Sequence, residues 1–157
     1  MTPTPNSPPY PALTIARWFV AWAEAQQADL SNLKLQKLLY YAQGYWLAKT
    51  GGPLFNGPIQ AWTHGPVVPE VYHHFKAFGS SDLALGDDPF DWPEVADAPT
   101  QLLIEIWEKL GSLAAWRLRD MTHDEPPWQD HFVPDVKDLE IPHDALKRHF
   151  GALLSVG

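Results

Sequence analysis

The stretch SNLKLQKLLYYAQGYWLAKTG, running from Ser31 to Gly51, decides the fold. Ser31 carries the short hydroxyl that caps a helix start by accepting a free first-turn N–H. Gly51 can leave a helix in the left-handed conformation that ends it. Between them Leu35, Leu38, Leu39, Ala42 and Trp46 recur at i, i+3, i+4, i+7 and i+11, one apolar stripe of an α-helix. Lys34, Lys37, Tyr41 and Tyr45 form a neighbouring stripe off that core line. A polar and aromatic second face is either a solvated or half-buried surface or a contact for a partner, and both readings stay open.

Working outward, Ile15, Phe19, Trp22 and Ala23 place a helix over about Thr14–Gln27, with Trp18 beside the stripe. The Pro/Thr/Ser-rich residues 1–11 lack such periodicity and are expected to form a disordered leader. Downstream, Ile59–Thr63 alternates apolar and polar residues and is the best strand candidate, with Phe132-Val133 as its expected pairing partner. His64–Pro69 reads as a turn opening a third helix, which uses Val68, Val71, Tyr72, Phe75 and Phe78 and stops at Gly79. Residues 80–98 are acidic and irregular, with Phe90 and Trp92 as anchors. Further helices are expected over Pro99–Leu110, from Leu113 to Thr122 with Ser112 as cap, and from Pro142 through Phe150 and Leu153. His123–Trp128 is read as a loop. About six helices with a single short strand or small hairpin make an all-α fold in one compact domain, residues 12–157.

A chain of 157 residues fits one domain and buries roughly two thirds of its unfolded surface. Nineteen acidic and eleven basic side chains give a net charge of −8, a poor match to nucleic acid. The charge is uneven: residues 81–140 hold fifteen acidic and four basic side chains, a net of −11. That block either keeps the protein soluble or steers a basic partner. The absence of cysteine excludes disulfides, thiolate metal sites and cysteine nucleophiles. Without a signal-peptide pattern or an apolar run near the ~18 residues a membrane span needs, the expectation is a cytoplasmic protein with no membrane partner.

Motif chemistry is sparse. No Gly-Lys-Ser/Thr cradle or Gly-x-Gly-x-x-Gly run marks a nucleotide site. His123, Asp124 and His131 can meet around an ion, but their spacing fits no familiar ligand pattern, so neither metal nor other cofactor is expected. His123 with Asp124 or Glu125 offers a base, yet no Gly-x-Ser-x-Gly elbow marks a nucleophile, so no enzyme is expected and a small His-dependent hydrolase is the weakest reading. Twenty aromatic residues, eight of them Trp, exceed what chemistry requires and suit a core together with an interaction surface.

Longer patterns say more. Leu33-Lys34-Leu35-Gln36-Lys37-Leu38-Leu39-Tyr40-Tyr41-Ala42-Gln43 resembles the signature helix of the Panacea domain family of SocA-like antitoxins and phage-associated proteins. Ile59-Gln60-Ala61-Trp62-Thr63-His64-Gly65-Pro66-Val67-Val68-Pro69-Glu70-Val71-Tyr72 resembles its second signature. Thr122-His123 with Pro127-Trp128 resembles a weaker third. The resemblance implies an antitoxin of a bacterial or phage toxin–antitoxin pair that neutralises a cognate toxin by direct protein–protein binding. The alternative it implies is a proteolytic adaptor that delivers the toxin to a cytoplasmic AAA+ protease. On these motifs the expected partner-binding residues are Gln36, Lys37, Tyr40, Tyr41, His64, Gly65, Pro66, Tyr72, His123 and Trp128. The acidic 81–98 segment is a further candidate surface.

Overall fold

The expected helix around Leu35 is α2, Asn32–Thr50, and its ends form as the residues dictate. Ser31 Oγ accepts from the Lys34 N–H at 3.2 Å, and Gly51 takes φ +86° while its N–H donates to Leu47 O at 2.8 Å. In this computed structural model, which describes residues 7–156, α2 is the axle of the molecule. Around it lie α1 (Ala12–Ala25), α3 (Pro69–His74), α4 (Asp97–Leu110), α5 (Ala115–His123), α6 (Pro126–Gln129) and α7 (His143–Val156), with a hairpin of β1 (Gln60–Trp62) and β2 (Gly65–Val67). The fold is thus all-α with one small antiparallel hairpin, and seven α-helices stand among the described residues.

Helix α2 packs against α7, α4, α5, α1, α3 and β2. Wrapping on this scale removes the solvated face expected beside the Leu35 stripe. Lys34, Gln36, Lys37 and Gln43 are all buried, and Lys37 is 0% exposed. Each buried polar group then needs a partner inside the protein. Gln43 accepts from the N–H groups of Leu54 and Phe55 and donates to Phe55 O, which fixes the loop after the helix. Lys34 donates to Gly111 O and lies 5.6 Å from the Trp107 ring.

The crossing of α2 and α7 depends on Gly44. A Cβ built there would fall 2.2 Å from the Phe150 ring, and Phe150 is fully buried among Tyr40, Tyr41 and Tyr45. Gly44→Ala should therefore destabilise by about 1–3 kcal/mol, although alanine is normally the better helix former by about 1 kcal/mol. In a Phe150→Ala background the same substitution should become neutral or stabilising. Urea denaturation of the four proteins in this cycle reads the sign change directly.

Several expectations are corrected by long-range contacts. The leader boundary at residue 11 falls too late, because Tyr10 is buried and bridges to Phe55, with its N–H donating to Leu54 O at 2.9 Å. Residues 1–6 of the expected leader lie outside the described residues. The strand pairs with Gly65–Val67 and bridges at Gln60 to Glu140 on its other side, rather than to Phe132-Val133. The Pro69–Gly79 helix splits at Phe75 into α3 and a 3₁₀ turn, Lys76–Phe78. Helix α5 begins at Ala115 without a Ser112 cap, and the loop around Pro126 contains α6 with Pro126 in its first turn.

The acidic 80–98 segment is docked along α1. Phe90 is buried, and Trp92 meets Trp18 and Trp22 edge-on at 6.1 and 5.9 Å, as the anchor reading requires. Leu83 N–H donates to Leu30 O, Leu85 N–H to Glu24, and Arg17 reaches Asp88 at 3.1 Å.

Candidate functional site

Three segments far apart in sequence meet at the tip of the hairpin. Gly65 sits at φ +110°, a conformation that favours glycine. A Cβ there would fall 2.7 Å from Lys37 Cε and 2.8 Å from Thr122 Oγ1, so the tip fits closely between α2 and α5. Lys37 Nζ donates to Pro66 O at 3.0 Å. Gln36 accepts the Val68 N–H at 2.9 Å and donates to Asn32, which in turn donates to Tyr72 O at 3.0 Å. The start of α2 thereby grips both the hairpin and α3.

The third segment closes the tip from the other side. Trp128 Nε1 donates to Trp62 O at 2.8 Å, and its ring stacks between His123 at 3.9 Å and Phe132 at 4.6 Å. Arg119 Nε donates to His64 Nδ1 at 3.1 Å. Behind this, Glu125 accepts from Tyr40 at 2.8 Å and from Tyr41 at 2.9 Å, one hydroxyl to each carboxylate oxygen. His149 Nε2 lies 3.9 Å from Glu125, beyond hydrogen-bond reach, and burial pushes His149 toward the neutral form. That contact is not an ion pair at neutral pH.

Burial sets the electrostatics here. Desolvation, with the Arg119 charge as a second cause, lowers Lys37 to about 7. Burial raises the Glu125 carboxyl above the usual range against the opposing pull of the two tyrosine hydroxyls. Tyr40 and Tyr41 are held protonated by burial and by the Glu125 charge beside them. His123 is lowered by burial and by Arg119 and Lys37.

Outside this buried hub lies a groove of about 790 Å³ between the start of α2, the hairpin, α3 and the turn after it. Its walls include Leu33, Trp62, Val67, Tyr72, His64 and His73, with Lys76 and Lys137 among the lining residues. Trp62 meets Tyr72 edge-on at 5.1 Å, and Lys137 Nζ stands 5.4 Å from the Trp62 ring.

Of the ten expected site residues, Gln36, His64 and Tyr72 line the groove. Lys37, Tyr40, Tyr41, Gly65 and Pro66 are buried, while His123 and Trp128 are half-buried in the stack behind the hairpin. An open, basic and aromatic face formed by Lys37 and Tyr41 is therefore corrected: both side chains point into packed protein because α5, α7 and the hairpin cover that side of α2. Asn32, Thr122 and Glu125 belong to the hub but were not among the expected site residues, although Thr122 stands in the third signature and Glu125 beside it. A buried cation or tyrosine pair in need of a partner is the signal that would have pointed to them. Lys137 had no sequence signal at all.

No helix among the described residues is long and apolar enough to cross a membrane. No solved structure matches the chain. Antitoxin SocA of Caulobacter vibrioides (strain NA1000 / CB15N) is 47% identical over 68 residues, which cover 43% of this chain and 36% of that protein. The chain thus spans little more than a third of the length of the curated relative it matches. The Panacea domain of SocA-like antitoxins matches residues 35–129, from the first turn of α2 to the end of α6, and therefore takes in most of the hub and most of the groove wall. With more than half its length in that match, the chain belongs to the Antitoxin SocA-like, Panacea domain family.

Proposed function

We propose that this protein is an antitoxin that neutralises a cognate toxin by direct, stoichiometric binding, and that the toxin docks on the groove face. Family membership supports the antitoxin role. The observation that carries the docking face is the groove itself. It holds about 790 Å³, and most of its wall falls within residues 35–129. In this reading His64 and Tyr72 face the toxin, while Gln36, Lys37, Tyr40, Tyr41, Gly65, Pro66, His123 and Trp128 act from behind by holding the hairpin in place.

The protein works as a binder and not as an enzyme. Both Glu125 oxygens are taken by tyrosine hydroxyls, and the His123 ring lies flat on Trp128, so these two residues are committed to packing. Nothing in the structure favours the adaptor reading over simple occlusion.

Co-expression with the toxin encoded beside it is the test. The expected result is restored growth together with a co-eluting complex of fixed stoichiometry in size-exclusion chromatography. Restored growth without a complex would refute direct binding.

A further inference from the structure

We infer that the groove receives an acidic polypeptide segment carrying an aromatic or aliphatic anchor, supplied by the neutralised partner. The inference rests on the docking face proposed above and goes on to specify the chemistry of the occupant.

Charge is the first argument. The chain has nineteen acidic and eleven basic side chains, yet no aspartate or glutamate lines the groove. Lys76 and Lys137 line it, together with His64 and His73. Elsewhere the cations of the hub and of α1 are committed. Arg17 pairs with Asp88, Arg119 with His64 and Asp120, and Lys34 and Lys37 with backbone carbonyls. Lys76 and Lys137 are exposed, and among the described residues neither forms an ion pair. Asp135 and Asp138 flank Lys137 in the chain but do not line the groove. Two unpaired ammonium groups at one concavity of an acidic protein form a local field that selects carboxylates.

The floor supplies the second argument. Leu33, Val67, Trp62 and Tyr72 give an apolar and aromatic bed, and the groove volume falls within the roughly 300–1,000 Å³ of clefts that bind small molecules, which leaves ample room for one anchoring side chain. The amides bordering it are already satisfied: Gln36 by Val68 and Asn32, and Asn32 by Tyr72. That leaves neither amide to read a nucleobase edge, and the net charge of −8 opposes a polynucleotide. A peptide needs neither. Its anchor takes the rings, and its carboxylates take Lys76 and Lys137.

The experiment uses the full chain and the purified toxin encoded beside it. Lys76→Glu/Lys137→Glu is compared with Lys49→Glu/Lys109→Glu, an equal charge change at exposed lysines away from the groove. Both double variants should melt within a few degrees of wild type, since all four side chains are exposed. The groove pair should weaken binding at least 100-fold and abolish growth rescue, and the control pair less than 5-fold. Wild-type affinity should fall as salt is raised from 50 to 300 mM. A Glu→Lys or Asp→Lys change in the toxin should recover binding to the groove variant. Equal binding by both variants overturns the acidic-segment inference while leaving direct neutralisation standing. Failure of the wild-type chain to bind the toxin instead removes the reading beneath it. Displacement of the toxin by a 12-nucleotide single strand would reassign the groove to nucleic acid and also overturn the inference.

Discussion

Lys37→Glu should leave the protein largely unfolded, whereas Lys37→Met should fold. Lys37 is fully buried, and its ammonium group donates to Pro66 O. A glutamate there sets a carboxylate against that carbonyl, two acceptors with no donor between them. The resulting buried, unpaired charge costs about 3–5 kcal/mol, enough to consume the stability of a domain near the lower end of the usual range of about 5–15 kcal/mol. Methionine keeps the length of the side chain, loses one hydrogen bond worth about 1 kcal/mol and removes the desolvated charge. The pH dependence separates these effects. Lys37 is lowered to about 7 in the folded state, while an unfolded lysine titrates near about 10.4. Below pH 7 both states hold the proton and the contribution is flat. Between pH 7 and 9 the unfolded chain holds a proton that the folded chain has released, so stability rises with pH, by at most about 1.4 kcal/mol per unit. The tyrosines do not interfere in this window, because they titrate above it in either state. Urea denaturation at pH 6.5 and 9 should show a larger rise in wild type than in Lys37→Met, where Lys34, also lowered by burial, still contributes. A Lys37→Glu protein that melts like wild type would place Lys37 on the surface.

The same residue shows how far local pattern reaches. The Leu35 stripe, the Ser31 cap and the Gly51 stop are properties of neighbouring residues, and α2 forms where they place it. What covers the helix is not a local property. An amphipathic reading gives each helix one wet face, yet every residue of α2 from 34 to 44 is buried. Hence Lys37 and Tyr41 read as surface although they are core. The strand was legible from the alternation of Ile59–Thr63, but its partners Gly65–Val67 and Glu140 depend on turn geometry and chain return. Tyr10 looked like part of a Pro-rich tail because the Leu54–Asn56 backbone that holds it lies more than forty residues on. Gln36, Gly65 and Trp128, which come from three separate motifs, converge at the hub. The motifs reached part of the wall of the groove in front of it, through Trp62, His64 and Tyr72, but not its cations, which come from Lys76 and Lys137, single exposed lysines in unremarked segments.

Glu125→Ala should destabilise the protein by about 3 kcal/mol, and most of that loss should be recoverable without restoring the carboxylate. Its two oxygens satisfy the hydroxyls of Tyr40 and Tyr41, which are 0% and 3% exposed. Truncation strands both, and an unsatisfied buried hydroxyl costs about 1–3 kcal/mol. Removing the stranded groups as well, in Glu125→Ala/Tyr40→Phe/Tyr41→Phe, should return most of the lost stability, because no orphaned donor then remains. Additive losses across the three substitutions would show that the tyrosines and Glu125 do not depend on one another. The carboxylate also bears its own burial cost, which holds its proton affinity above the usual carboxylate range in the folded state. Between the unfolded value and the folded one, the folded chain retains a proton that the unfolded chain has released, so this contribution falls as pH rises. Glu125→Gln has no such proton. The stability advantage of wild type over Glu125→Gln should therefore be larger at pH 4.5 than at pH 7.5, and taking the difference cancels the titration of the other carboxylates. An advantage that grows with pH would mean that the two tyrosine bonds outweigh desolvation and that Glu125 sits in the hub as a stabilised anion.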